Sequence, residues 1–458
     1  MNAIPGLSHH ASLLLYALAA VIGLIVLIAK FKFNSFVALI LASLFVGLCS
    51  GMKLADIGKG FQEGVGIVLG SVAIVVGLGT ILGKMLAESG GAEVIATRLI
   101  AMLGEQRVHW AMMLIAFIIG IPVFFTVGLV LLIPIVFTIA KQTRTPLLML
   151  GIPLVAGLSV AHGLVPPHPG PLVAVELLKA DVGKTILYSL LIGFPSAIIA
   201  GPIFGRFISR RVPVELSGAM ATQLTQEAKR KTSPGFGLTL FTILLPILLM
   251  LMATLADVMA AKENRFRQWL DFVGSPLVAM LAAVLFSSYS FGFARGFDKE
   301  RLLKFSNDCL GPVASVLLVV GAGGGFNKVL VYSGVGEAIT EYAKGANISP
   351  LLLGWLTACF IRIATGSATV AISTAAGILA PIAANVPGTN LELLVIAMGA
   401  GSTILSHVND GGFWFVKEYF NMTVSQTLKT WTVMETIISV VAMIFVLLLN
   451  AFIKLGFG

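Results

Sequence analysis

The chain has 458 residues, of which 57% are hydrophobic and only 11% are charged, and its mean hydropathy is +0.99. These values exclude a soluble enzyme, a DNA-binding protein and a secreted disulfide scaffold, and they indicate a polytopic membrane protein embedded in a lipid bilayer. Most of the 30 Lys and Arg residues behind the formal charge of +9 lie in short loops, where basic residues set orientation; no nucleic-acid partner is indicated.

The N-terminal sequence does not indicate a removable signal peptide, and the cysteines do not indicate a metal site. The N-terminal MNAIPGLSHHAS has no basic region before the first apolar run, so we expect the first span to remain in the mature chain. Cys49, Cys309 and Cys359 lie inside apolar stretches without metal-ligand spacing, as small core residues do. We therefore expect no metal and no cofactor.

The chain contains an internal repeat. Residues 77–93, GLGTILGKMLAESGGAE, recur 244 residues later as residues 321–337, GAGGGFNKVLVYSGVGE, and both fit GxGxxxxKxLxxSGxxE. Apolar segments often resemble one another by chance, but a matching Lys, Ser and Glu inside them is unusual. The sequence therefore predicts a first repeat at 1–209, a polar, basic cytoplasmic linker at 210–235 and a second repeat at 236–458.

In the first repeat, continuous apolar spans are followed by two interrupted stretches and one last continuous span. The stretch at about 110–140 carries IPVFFTVG in its middle and is long enough for two half-helices, which predicts a re-entrant hairpin. The stretch at about 147–178 carries VPPHPGP, whose prolines cannot continue a helix. We expect a broken helix there; a proline kink that serves packing alone is the alternative.

The second repeat shows the same order, with a hairpin expected at about 351–384 and a broken helix at about 391–416. With hairpins that do not cross, each repeat crosses the membrane about five times, and this odd number inverts the second repeat. Placing the N-terminus outside collects about twice as many basic residues on the cytoplasmic side as on the other. The predicted fold is an all-α polytopic protein with two inverted repeats, about ten transmembrane helices, two of them broken, and two re-entrant hairpins.

Discontinuous helices in inverted repeats are typical of secondary transporters, which bind substrate where the breaks meet. His162 and His168 lie in one break, and His407, Asn409 and Asp410 lie in the paired break. Ionisable groups at membrane depth are commonly functional, so these are candidate ligands for substrate or proton. Hydrogen-bonded core histidines, and an N-cap role for Asp410, are the structural alternatives.

The second predicted hairpin carries GSATV at its tip. Gly366, Ser367 and Thr369 can offer N–H and hydroxyl groups to a carboxylate or a polyol, although small residues also serve helix packing in membranes. Arg362 lies nearby, and a charge at this depth needs a partner. Either a protein acid or an anionic substrate fits that requirement.

The motifs KFKFNSFVALILASLFVG, GLGTILGKMLAESGGAE, VPPHPGP, GAGGGFNKVL, GSATVA, SHVNDGGFW and KTWTVMETIIS together resemble the gluconate permease family of proton symporters over essentially the whole chain. PPHPGP and SHVNDGGFW resemble its sugar-acid permeases more than its D-serine branch. The resemblance implies the ion-transporter superfamily arrangement, a homodimer that works by an elevator mechanism in the bacterial inner membrane.

One position departs from the resemblance. Where this chain has Thr126, the family pattern has Glu or Asp, an acid that would carry the proton. Because Thr cannot titrate, either the acid has been substituted in this chain or coupling lies with Asp410 or a histidine.

The resulting expectation is a proton-coupled symporter for a sugar-acid monoanion, foremost D-gluconate. We expect the substrate to be bound by Thr126, Gly366, Ser367, Thr369, His162, His168, His407 and Asn409. Arg362 would face its carboxylate, and Asp410 or position 126 would bind the proton. A related anion, D-serine or sodium coupling are alternatives within transport. An intramembrane metalloenzyme using the histidines and Asp410 is a remote one, since no HExxH helix is present, and a passive anion channel is another.

Overall fold

The computed structural model describes residues 4, 6–214, 233–259, 261, 263–335, 338, 349–408 and 410–457, and all regular structure in them is helical. Most of the predicted linker, together with Glu337 of the repeat and the candidate ligand Asn409, lies outside these residues. The helices, in chain order, are α1 (His9–Ala29), α2 (Ser35–Cys49), α3 (Leu54–Ser89), α4 (Gly91–Leu103), α5 (Val108–Gly120), α6 (Phe125–Thr143), α7 (Leu147–Leu164), α8 (Pro169–Leu178), α9 (Val182–Ile198), α10 (Phe204–Ile208), α11 (Phe236–Met259), α12 (Arg265–Gly274), α13 (Pro276–Ser287), α14 (Lys299–Asp308), α15 (Ala314–Tyr332), α16 (Pro350–Thr365), α17 (Ala368–Asn385), α18 (Leu391–Thr403), α19 (Gly411–Tyr419), α20 (Val424–Thr427) and α21 (Val433–Phe452).

Nine helical segments within the described ranges are long and apolar enough to cross a membrane. The sequence predicts about ten such spans, and the structure differs partly because α2 is only 15 residues long. Large apolar side chains such as Leu18, Ile22 and Leu448 are exposed, as expected for surfaces that face lipid. The chain is a multi-pass membrane protein.

The chain leaves the helical conformation in each of the four segments that the sequence marks as interrupted. Among the described residues, these gaps lie at 121–124, 165–168, 366–367 and 404–408 with 410. At the third gap Gly366 takes a left-handed φ of +73°, and its N–H bonds to the Arg362 carbonyl, which ends α16. The side chain of Ser367 then caps α17 by accepting from the Val370 N–H at 3.3 Å.

Helix bounds on either side of these gaps follow the sequence spacing of 244 residues. The first residue of α7 is Leu147, and that of α18 is Leu391. Moving α6 by the same spacing gives 369–387, and α17 occupies Ala368–Asn385. The two interrupted regions therefore have matching helix orders.

The segment formed by α7 and α8 is the most enclosed part of the fold, with 89% of its apolar window buried. It packs against α5, α17 and α18. Because unwound backbone survives at membrane depth only against protein or a water-filled cavity, this burial can accommodate the proline-rich gap at 165–168.

Candidate functional site

The helix gaps surround a cavity of about 390 Å³, a size within the usual range for small-molecule sites. Every interrupted segment, or the helix that flanks it, contributes to the wall. The lining comprises Phe124, Phe125, Thr126, Ser159, His162, Gly163, Val316, Arg362, Thr365, Gly366, Ser367, Ala368, Thr369, Thr403, Asp410, Gly411, Gly412, Trp431 and Glu435.

Most of the residues singled out from the sequence meet at this cavity. Its lining includes Thr126, His162, Arg362, Gly366, Ser367, Thr369 and Asp410. His168 is buried and absent from the lining, and it contacts two lining residues, His162 and Phe124. His407 is absent from the lining, and its Nε2 lies 3.1 Å from the Ile363 carbonyl oxygen.

Arg362 and Asp410 join two of the interrupted segments through an ion pair. Arg362 is 4% exposed, and its Nη2 donates to Asp410 Oδ2 at 2.5 Å. Its Nη1 donates to the Gly366 carbonyl at the tip between α16 and α17. The partner that Arg362 requires at this depth is thus a protein acid.

Asp410 holds several donors at once. Besides Arg362, it accepts from the Gly412 N–H at 2.8 Å, which caps α19, and from the Ser406 hydroxyl. Ser406 in turn accepts from Trp431 Nε1 at 2.7 Å. The side chain of Asp410 therefore both caps α19 and forms the ion pair with Arg362.

Arg362 has an unpaired donor at Nε. Its Nε is buried and has no hydrogen-bond partner within the described part of the chain. A buried, unpaired donor carries a free-energy cost that a suitably placed acceptor would remove. A ligand carboxylate or hydroxyl is such an acceptor.

The two histidines form a short chain that ends at the cavity. His168 Nε2 lies 2.6 Å from the Gly120 carbonyl oxygen, and its Nδ1 lies 3.3 Å from His162 Nδ1. A carbonyl can only accept, so His168 carries its proton on Nε2 and, when neutral, offers the lone pair of Nδ1 to the Nδ1–H of His162. A neutral His162 then has its remaining lone pair on Nε2. Within the described residues no group donates to that nitrogen, so it is available to a donor in the cavity.

Sequence reasoning missed Glu435, which lines the cavity and is 3% exposed. Its Oε1 accepts from the Ser159 hydroxyl, which lies on α7. Glu435 lies in the first turn of α21, within the candidate span Val424–Leu455, and an acid there is a readable signal because ionisable residues within a span are costly. Ser159 and Trp431 carry no comparable signal, because such residues are ordinary in apolar helices.

This arrangement can bind a small molecule that has both a negative charge and hydroxyl groups. It offers an arginine, backbone groups at helix ends, hydroxyl side chains and an imidazole lone pair. In the part of the chain that the structure describes, no group of three His, Cys, Asp or Glu side chains could hold a metal ion.

Similarity to known proteins agrees with this geometry. The GntP family permease profile matches residues 12–452. The gluconate permease of Pseudomonas aeruginosa is 55% identical over 97% of this chain and 99% of its own length. The gluconate permease of Zymomonas mobilis is 52% identical over 95% of this chain and 97% of its own.

Among solved structures, the YdaH transporter of Alcanivorax borkumensis superposes with a TM-score of 0.62 at 15% identity, over 92% of this chain and 98% of its own. At that identity the likeness concerns the fold alone. The family match and the relatives extend over nearly the whole chain. This protein is therefore a membrane transporter and not an enzyme, and it belongs to the GntP family of permeases.

Proposed function

We propose that this permease imports D-gluconate, or a closely related sugar-acid monoanion, together with a proton. The relatives at 55% and 52% identity are both named gluconate permeases. The observation that carries the proposal for the site is the convergence of the interrupted segments on one cavity that combines Arg362 with hydroxyl and imidazole groups.

The substrate would lie across the tips of the helix gaps. Its hydroxyl groups would be bound by Gly366, Ser367 and Thr369 at one tip and by Thr126 at the other, all of which line the cavity. The unpaired Nε of Arg362 supports a role in binding the carboxylate. We also assign His162 and His168 to the substrate site, and keep His407 and Asn409 as further candidates.

Proton coupling is favoured by charge. An inside-negative membrane potential opposes the entry of a monoanion, and a co-transported proton cancels that charge. Thr126 cannot carry the proton, although an acid at its position would face the cavity. Asp410 is one candidate carboxylate at the cavity, and it already accepts hydrogen bonds from several donors.

The architecture that we propose follows the helix order. The repeats at 1–209 and 236–458 would be inverted about the linker at 210–235, with re-entrant hairpins at about 110–140 and 351–384 and broken helices at about 147–178 and 391–416. The matching bounds of α6 with α17 and of α7 with α18 support this. We further propose a homodimer in the bacterial inner membrane that moves its substrate by an elevator mechanism.

Counterflow tests the transport activity and the substrate together. Proteoliposomes loaded with unlabelled D-gluconate should take up external labelled gluconate, and an excess of L-idonate should compete more strongly than D-serine or D-glucose. Failure to exchange gluconate would refute the proposed substrate. Stronger competition by D-serine would indicate D-serine as the substrate in place of a sugar acid.

A further inference from the structure

We propose that Glu435 is the carboxyl group that binds the co-transported proton, and that its charge makes proton binding and anion binding mutually dependent. This inference rests on the proposed function and specifies how that function is coupled. The position of Glu435 in the same cavity as Arg362, with a partner that suits both of its protonation states, carries the argument.

The partners of the two acids in the cavity differ in kind. Asp410 also has a serine partner, Ser406, but it is held in addition by Arg362 and by the Gly412 N–H, groups that can only donate and therefore require lone pairs on the carboxylate. A proton added to Asp410 would compete with those bonds. The contact of Glu435 is with the Ser159 hydroxyl, which can donate to a carboxylate and can accept from a carboxylic acid. Glu435 can therefore gain and lose a proton without losing its neighbour.

The charges that face Glu435 also favour its role as the proton-binding group. Arg362 on α16 and Asp410 before α19 form a pair of zero net charge, and His162 on α7 adds none when neutral. Ionised Glu435 would then leave the cavity with one negative charge, which repels an anionic substrate in the same enclosed space. Protonated Glu435 removes that repulsion. Anion and proton each favour the binding of the other, as thermodynamic linkage requires.

The transport step balances in charge and atoms. One proton from the external solution adds to a carboxylate oxygen of Glu435, and one monoanion binds in the cavity. Both leave on the cytoplasmic side, where the proton returns to water and Glu435 becomes a carboxylate again. The loaded transporter moves no net charge from this pair.

The steady-state accumulation ratio of gluconate tests the assignment. In proteoliposomes with an inward proton gradient, the unmodified chain should reach an internal concentration several-fold above the external one. Glu435→Gln, which mimics the protonated form, should let the ratio fall to one. This ratio reports coupling and not the rate of transport. The matched variant Glu418→Gln, which changes an exposed acid on α19, should accumulate gluconate like the unmodified chain.

Two results with the variant would overturn the proposal. One is accumulation by Glu435→Gln to the same ratio as the unmodified chain. The other is the loss of both exchange and accumulation by a Glu435→Gln protein that still runs as a folded species in gel filtration, since the carboxyl would then be needed for more than the proton.

An infrared measurement on the unmodified chain keeps the test independent of the variant's folding. Addition of gluconate should produce the carbonyl band of a protonated carboxylic acid, and this band should shift when the glutamates carry ¹³C carboxyl groups. A shift with labelled aspartate, or no such band, would contradict the role of Glu435. If the unmodified chain exchanges gluconate but accumulates none with a proton gradient, the proposed coupling itself fails, whatever Glu435 does.

Discussion

His162 presents a directional group to the substrate because His168 fixes its tautomer. His168 is anchored by the Gly120 carbonyl, which accepts from Nε2 at 2.6 Å. The contact of 3.3 Å between the two Nδ1 atoms then requires His162 to donate. The free Nε2 lone pair of a neutral His162 accepts from a hydroxyl but has no proton to offer to a keto oxygen.

We therefore expect discrimination at one carbon of the substrate. At that carbon, replacement of the hydroxyl by a keto group or by hydrogen should weaken binding by about tenfold or more, because a buried acceptor is left unpaired. His168→Gln, which keeps one donor and one acceptor, should preserve the discrimination, whereas His168→Leu should abolish it. Competition assays with deoxy and keto analogues measure this effect.

The tautomer has its own readout. In protein with ¹⁵N-labelled histidine, the chemical shifts should show His162 protonated on Nδ1 and unprotonated on Nε2. A spectrum with the proton on Nε2 would contradict the arrangement. If His168 served only to fill space, the His168→Leu variant would show the same tautomer of His162 as the unmodified chain.

Single residues were predictable where their chemistry is costly in a membrane. Arg362, Asp410 and His162 are all polar groups inside interrupted apolar stretches, so the sequence marks them. The sequence leaves open whether Arg362 pairs with a protein acid or a substrate, since that depends on how α16 meets the segment before α19. Glu435 was not predicted because its helix α21 is continuous, whereas the predicted polar residues of the cavity lie at or beside breaks in the helices.

At the scale of helices, the cavity depends on a close crossing of α7 and α18. A Cβ added at Gly399 would lie 2.5 Å from the Gly163 carbonyl oxygen, closer than real side chains approach. Gly163 itself lines the cavity. Glycine at 399 thus lets the backbones of two interrupted segments touch beside the site.

Gly399→Ala should destabilise the fold by roughly 1–3 kcal/mol, because the added methyl group forces the two helices apart. Gly58→Ala is the matched control, since a Cβ at that exposed position of α3 meets nothing within 4 Å. This control should be neutral or stabilising, because Ala favours helix over Gly. Thermal unfolding in detergent compares the two variants, and equal melting temperatures would contradict the crossing.

Helix ends were predictable where proline or glycine dictates them. Pro169 is the first residue of α8, and Gly366 ends α16 with a positive φ. The sequence did not predict α14, which is short and polar and therefore gives no apolar signal. This helix packs against α3, and that tertiary contact has no signal in the local sequence.

At the scale of the whole molecule, the odd number of crossings that we propose for each repeat would have a visible consequence. The linker at 210–235 should be cytoplasmic, and both termini should be outside. Alkaline phosphatase fused to the C-terminus should therefore be active, while green fluorescent protein should be fluorescent when inserted in the linker and dark at the C-terminus. A fluorescent C-terminal fusion would contradict the inverted arrangement.

Hydropathy and the repeat were sufficient to predict an all-helical transporter and the four interrupted segments that meet at its cavity. The packing of distant elements was not predictable in this way. Ser159 and Glu435 are separated by 276 residues, and their contact depends on how α7 and α21 dock. No local pattern encodes that docking, because both helices are apolar along most of their length.

Gluconate uptake under defined gradients tests the central claim most directly. Proteoliposomes containing the unmodified chain should concentrate labelled D-gluconate when an inward proton gradient is imposed, and a protonophore should abolish the accumulation. An inward sodium gradient alone should leave internal and external concentrations equal. Accumulation with sodium and none with protons would contradict proton symport, and equilibration under both gradients would indicate a passive route.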